Sequence, residues 1–371
     1  MKWGQLSALL GMKSMKQHIP LIGEFELTGR CNLGCKMCYM SHKIDDSKVL
    51  YKEPSAKEWI ELAREARDMG MLFILLTGGE VFARSDFREI YTEISMMGLT
   101  TTIYTNGTLI TPQIASWLGS RPPSQIEITL YGASQESYEK ICGNGDGFHR
   151  ALRGIDLLLD QGVNLQIRTT VVKDNIHEFE KMKEIAGIRG IKLGVVNYVS
   201  PRRDHLGKNY DEMRLAPKEL VDLEETLSAA QAHQANLSEP LSEDSLNIHK
   251  ELLEIGFQED DPFPCSCGKN TFWVTWDGRM VPCSIMNKPE AYPFKEGFLS
   301  AWESLIRQCS QIPKCKECSA CDLKEYCMTC PARLMNETGS YEVPASYLCQ
   351  CAKERKEREG KNYENLHKTN N

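Results

Sequence analysis

Six short apolar segments, at residues 24–28, 72–76, 100–104, 126–130, 165–171 and 192–198, alternate with helix-like stretches. That alternation constrains the fold more than any other feature. Strands joined by crossover helices run parallel, and a parallel sheet carries its helices on its faces. The helical stretches have their own signals. Pro54 and Ser55 open one with a capping box from Ser55 to Glu58, and Trp59, Leu62 and Ala66 share one face of it. Residues 151–159 and 176–185 read as further helices. Six β-α units predict an α/β fold, a partial (β/α)6 barrel of the TIM type rather than a closed eight-fold one.

The pattern changes near residue 236. Residues 239–264 are acidic and carry Pro240, Pro262 and Pro264, and residues 265–351 hold 11 of the 15 cysteines. The expected division is an N-terminal extension over 1–20, a barrel over 21–235, a connecting segment over 236–264 and a small cysteine-rich α+β domain over 265–352. A charged tail over 353–371 follows, with a surface helix at 353–361. A net charge of -7 gives no general basic surface, so no nucleic-acid partner is expected, and Arg202 and Arg203 read as solvated loop residues. The apolar residues 8–10 are too few for a leader or a span and are followed by Gly11 and Lys13, so neither a membrane nor secretion is expected. An odd number of cysteines in such a chain points to a reducing, cytoplasmic location and to metal rather than disulfides. Eight scattered histidines leave thiolate as the ligand, which suits iron–sulfur clusters or zinc.

Cys31, Cys35 and Cys38 place three thiolates within eight residues, directly after the first strand. A [4Fe–4S] cube takes four ligands, so three leave one iron open to a substrate or cofactor. Structural zinc prefers a closed set of four. The C-terminal strand ends of a parallel barrel face the active site. Thr77-Gly78-Gly79-Glu80 follows the second strand: two glycines let backbone approach a ligand closely, and Glu80 can accept from an ammonium group. Tyr104-Thr105-Asn106-Gly107 ends the third. In the small domain, Cys267 is followed by ten residues, Gly278, four residues and Cys283. Residues 272–276 and 279–282 read as a hairpin about Asp277-Gly278. Then come Cys318, Cys321, Cys327 and Cys330 at intervening lengths of two, five and two, with Cys349 and Cys351 beyond. A pair of zinc ribbons is the alternative. The glycine-rich run at 143–147 follows no strand and has no P-loop lysine, so it reads as a βα loop.

The triplet, the Gly-Gly-Glu motif and the third strand end together resemble the radical S-adenosylmethionine (SAM) superfamily, with Val81 where the family's usual proline stands. The resemblance implies a [4Fe–4S] cluster on Cys31, Cys35 and Cys38, and SAM held by Gly78, Gly79 and Glu80 through its methionine moiety. It implies that Thr105, beside Asn106, and Thr129 reach the ribose or carboxylate, that Arg168 pairs with the carboxylate, and that Met37 lies near the adenine. The later cysteines resemble the SPASM extension, whose last interval is usually three residues rather than two. This implies one or two auxiliary [4Fe–4S] clusters. The first would take Cys267, Cys283 and Cys330, with Cys265 as fourth ligand. The second would take Cys318, Cys321, Cys327 and one of Cys349 and Cys351. Cys142, Cys309 and Cys315 are left as ordinary thiols, and the small domain is expected to need metal to fold.

The chemistry implied is reductive cleavage of SAM to a 5′-deoxyadenosyl radical that removes hydrogen from a substrate. SPASM enzymes often modify peptides, by crosslinking, oxidation or epimerisation. The sulfatase-maturing branch places a carboxylate after the cysteine that closes the hairpin; here Ser284 stands there, which lowers that reading. The expected function is maturation of a ribosomally made peptide, with a small-molecule dehydrogenase or epimerase second and an electron carrier or zinc scaffold as the non-enzyme alternative. Expected partners are a precursor peptide or protein and a reductant such as flavodoxin or ferredoxin. About 20 residues precede the first strand, so a separate recognition protein or the barrel itself would read the leader.

Overall fold

The computed structural model describes residues 3–40, 42–203, 210–235 and 262–368. The expected connecting segment lies outside the described residues except for 262–264, and so does the end of the tail, 369–371.

Among the described residues ten strands form: β1 (Ile22–Glu26), β2 (Arg30–Cys31), β3 (His42–Lys43), β4 (Phe73–Thr77), β5 (Thr100–Thr105), β6 (Gln125–Thr129), β7 (Leu165–Thr170), β8 (Leu193–Val196), β9 (Thr271–Val274) and β10 (Met280–Val281). The main sheet has the order β10-β9-β1-β4-β5-β6-β7-β8. From β1 to β8 it runs parallel and in chain order, one strand per expected segment.

Alternate residues of these strands face opposite sides. Phe25, Leu76, Ile103, Ile126 and Leu165 are register partners across five strands, and all are buried. This row faces the helices. Phe25 meets Trp59 of the helix Ala56–Asp68 at 5.2 Å between ring centres. Burial of each such side chain contributes about 1.5–3 kcal/mol. That helix begins with the expected capping box: Ser55 N donates to Glu58 Oε2 at 2.8 Å, and Glu58 N to Ser55 Oγ at 3.4 Å. The other row is mostly polar: Glu24, Thr102, Tyr104, Glu127, Thr129 and Arg168, with Leu75 between Glu24 and Thr102. The inner face of the sheet is therefore largely polar rather than a packed apolar core.

The small domain is not a separate body. Its hairpin is present, and Gly278 takes φ +83° at the turn. β9 then adds to the sheet beside β1, in parallel. Phe272, Phe298, Trp302 and Leu305 share one core with the barrel. Among the described residues only Cys315, Leu334, Ala345 and Leu348 form a core of their own. The N-terminal extension contains a helix, Trp3–Gln17, and Asn270 Nδ2 donates to its Ser14 Oγ at 2.7 Å and Gly11 O at 3.1 Å. The C-terminal helix, Ser346–Lys368, crosses the expected boundary at 352. Its Arg355 grips Glu224 at 2.8 and 3.0 Å, and Arg358 pairs with Asp222 at 2.7 Å. Among the described residues no helix is long and apolar enough to cross a membrane.

Candidate active site and thiol clusters

The segment leading to Cys31 and the end of β4 lie backbone to backbone. Gly79 N donates to Thr28 O at 2.8 Å, and Glu80 N to Arg30 O at 2.9 Å. A Cβ on Gly78 would stand 2.5 Å from Thr28 O, and one on Gly79 2.4 Å from Arg30 O. Gly78 also takes φ +149°, which side chains disfavour. The glycine pair thus lets two strand ends meet, whatever else it binds.

Glu80 is 1% exposed. Its carboxylate accepts from Thr105 Oγ1 at 2.7 and 2.9 Å, from Asn106 N at 2.8 Å and from Phe82 N at 3.1 Å. Burial pushes its pKa up, and these bonds oppose the rise. Asn106 Nδ2 donates to Cys31 Sγ at 3.6 Å and to Asn32 Oδ1 at 3.0 Å. Asn32 Nδ2 reaches Thr108 Oγ1 at 2.8 Å, and that hydroxyl donates to Asn106 Oδ1 at 2.6 Å. Asn32 and Thr108 were not among the expected residues. An amide inside the cysteine triplet is the signal that points to them.

Burial raises the Cys31 thiol to about 12, and Glu80, Cys35 and Cys38 add to the rise. The three thiols therefore stand within electrostatic reach of one another. Cys35 is buried and turned toward Cys142 and Tyr131; the hydrogen bond with Cys142, then burial, holds its pKa well up. Cys142 is not placed at random: it ends a helix beneath the triplet, and its carbonyl accepts from Gly34 N at 2.9 Å. Met37 is half-buried against the core. Thr129 and Arg168 are register partners on the inner face. Arg168 is engaged by Glu127 at 2.7 Å and lies over the Tyr104 ring. Nearby on β1, Glu24 is raised to about 7 by burial and then by Glu26.

Arg203 corrects an expectation. It is not a solvated loop residue: it is 4% exposed and grips the fully buried Glu26 at 2.9 and 2.7 Å. It also donates to Ser284 O at 3.2 Å and lies over the Tyr39 ring. Trp276 N donates to Glu26 at 3.3 Å, and Arg202 donates to Met40 O at 2.8 Å. This buried pair joins the residue after Cys38 to the residue after Cys283.

In the small domain, Cys265, Cys267, Cys283, Cys327 and Cys330 line one cavity of about 540 Å³. The Cys265 and Cys283 thiols push Cys267 well up. Cys265 is pulled down to about 6, chiefly by its hydrogen bond with Cys267, with Lys269 and Arg333 helping. Thr329 Oγ1 is buried in the same wall with no partner. Five soft donors and an unsatisfied hydroxyl around an open space fit an iron–sulfur cluster. A second group comprises Cys318, Cys315, Cys327, Cys349 and Cys321, each within electrostatic reach of others in the set. Cys351 is not in it. Its thiol lies among Tyr347, Arg355 and Glu224, in the main core. Cys315, expected to be an ordinary thiol, lies beside Cys318 instead: it accepts from Cys318 N at 3.4 Å and donates to Glu342 O at 3.0 Å. Cys309, also expected to be an ordinary thiol, is buried beside the first group: burial, then Cys283 and Cys265, raise it to about 12. Among the described residues no three Cys, His, Asp or Glu side chains gather at the spacing of a single ion. A cube binds one thiolate per iron corner, so its ligands stand further apart than those of one ion.

Residues 25–186 match the radical SAM superfamily. That stretch is similar to the radical SAM domain of a family that uses a [4Fe–4S] cluster and SAM, and the similarity marks the chain as an enzyme. It is similar to the AdoMet-dependent heme synthase of Methanosarcina barkeri, at 28% identity over 87% of this chain and 95% of that protein. It is similar to the PqqA peptide cyclase of Rhizobium meliloti, at 26% identity over 70% of this chain and 66% of that one. Its fold is like that of Streptococcus suis SuiB bound to precursor peptide SuiA, with a TM-score of 0.69, 20% identity, and 93% of this chain and 80% of that one covered.

Proposed function

We propose that this enzyme modifies a peptide, maturing a ribosomally made precursor by a crosslink, an oxidation or an epimerisation. In this reading Cys31, Cys35 and Cys38 hold the catalytic cluster, and Gly78, Gly79, Glu80, Thr105 and Asn106 form the SAM site, with Met37, Thr129 and Arg168 around it. Cys265, Cys267, Cys283 and Cys330 hold one auxiliary cluster. Cys318, Cys321, Cys327 and Cys349 hold the other. The barrel, 21–235, and the cysteine-rich region, 265–352, act as one unit.

One observation carries the reading: the Glu80 carboxylate, the Thr105–Asn106 strand end and the Cys31 thiol form one hydrogen-bonded junction at the C-terminal strand ends. Cys31, Cys35 and Cys38 would hold the cluster, which with SAM would supply radical chemistry for removing hydrogen from a substrate carbon. The chain's own residues do the rest. Glu80 and Asn106 fix the junction, and the Glu26–Arg203 pair fixes the cluster loop. Glu24, with a pKa about 7, can hold or release a proton on the inner face of the sheet near neutral pH. Peptide-modifying relatives support the substrate class. A reductant such as flavodoxin or ferredoxin, and a cytoplasmic location, belong to the same proposal, as does a separate leader-recognition protein or direct docking on the barrel.

A second reading is a small-molecule substrate such as a heme precursor, because the heme synthase resemblance spans most of both chains. Incubation with SAM, reductant and a precursor peptide encoded beside the gene separates the two. A product two hydrogens lighter, or of unchanged mass with deuterium incorporated from the solvent, supports the peptide reading. An unaltered peptide, with a heme precursor converted under the same conditions, refutes it.

A further inference from the structure

The charged side chains on the inner row of β1 and β4 to β8 are Glu24, Glu26, Glu127 and Arg168, and Arg203 reaches this row from beyond β8. Arg203 grips Glu26 at 2.9 and 2.7 Å, and Arg168 pairs with Glu127 at 2.7 Å. Three carboxylates thus share two guanidinium groups, and Glu24 is left over. It is half-buried, and among the described residues it has neither a hydrogen bond nor an ion pair. Its titratable neighbours are Glu26 on the same strand and Tyr104 on β5. Its register partners, Leu75 on β4 and Trp273 on β9, bring no charge. Burial and then Glu26 raise its pKa to about 7, the mark of a carboxylate short of a counter-charge. Trp273 is 6% exposed, lies outside the shared apolar core, and its indole N–H is buried without an acceptor. A poorly solvated carboxylate without a cation and an indole without an acceptor therefore stand on adjacent strands of one face, and each is costly to leave unmet.

We propose that Glu24, with Trp273 beside it, is a subsite for a cationic side chain of the substrate peptide, the ammonium of a lysine or the guanidinium of an arginine. This rests on the peptide reading above. A carboxylate in a poorly solvated wall gains more from a cation than a solvated one does. An aromatic ring beside it favours ammonium and guanidinium over neutral groups. The residue that carries the cation also brings a backbone carbonyl, which the Trp273 N–H can meet. Glu24 acts on Tyr104, the residue before Thr105, which ties the subsite to the strand that carries the junction.

The test is binding of the labelled precursor peptide encoded beside the gene to full-length reconstituted protein, followed by fluorescence anisotropy at pH 8, where Glu24 is ionised. E24Q weakens binding about tenfold, the scale of one charge-assisted hydrogen bond. In the peptide, each Lys is replaced in turn by norleucine and each Arg by citrulline. One replacement weakens binding to the parent protein about tenfold and costs nothing further in E24Q, a non-additivity that marks the pair. E24L makes the same comparison if E24Q loses its iron. E24Q binding as the parent does, or every replacement adding in full to E24Q, overturns the proposal alone. So does an equal loss of SAM binding in E24Q, measured by calorimetry, since the cation is then SAM's own ammonium. A parent that leaves the peptide unaltered overturns the peptide reading beneath it.

Discussion

Replacing Arg203 by Met should destabilise the protein more than any other single change at the barrel mouth. Arg203 is 4% exposed and Glu26 is fully buried, and two hydrogen bonds of 2.9 and 2.7 Å join them. Without the guanidinium, Glu26 keeps only the Trp276 N–H and the Tyr39 hydroxyl. A buried carboxylate stripped of its cation costs about 3–5 kcal/mol. Most of that is the penalty of the charge left behind, not the worth of the pair. The double variant E26L/R203M removes both charges and should therefore recover most of the loss. Urea denaturation of reconstituted protein of equal iron content measures it, with midpoints compared at matched slopes. A loss below about 1 kcal/mol for R203M, on the scale of an exposed pair, would refute the reasoning. So would a double variant as unstable as the single one.

Other outcomes follow from the same geometry. Glu24 has a folded pKa of about 7 against 4.5, so its contribution is fully present below pH 4.5 and is lost as pH rises through 7. Stability should fall by up to about 3 kcal/mol between pH 5 and pH 8, and E24Q should flatten that slope in a denaturation series. G79A drives a Cβ into the Arg30 carbonyl, which cannot yield as a side chain would; it should cost about 1–3 kcal/mol and weaken SAM binding measured by calorimetry. C349A should lower the iron content by about a third, one cluster of three, whereas C351A should not, in iron assays after reconstitution.

The six strands, the capping box and the hairpin were legible because each rests on short-range chemistry: period, cap and turn. The triplet and the Gly-Gly-Glu motif were legible because their spacing is local. The polar inner face was present in Gln125-Ile126-Glu127-Ile128-Thr129 and in Leu165-Gln166-Ile167-Arg168, where alternation marks a strand with one wet side. Reading those segments simply as short apolar strands passed over it. The Glu26–Arg203 pair joins residues 177 apart, and no local pattern announces such a partner. The junction of β9 with β1 likewise depends on which sheet edge the barrel leaves open. Cys349 and Cys351 are two positions apart on one helix, so they point to nearly opposite sides. Only one can join a given thiol group, and the choice becomes readable once the helix is extended back to Ser346.

The most direct test of the whole account is the fate of SAM. Anaerobically reconstituted, reduced protein should convert SAM to methionine and 5′-deoxyadenosine, seen by chromatography, and Cys35→Ala should abolish the product while leaving the auxiliary iron in place. Intact SAM after incubation with a protein whose triplet carries a reduced cluster would contradict it.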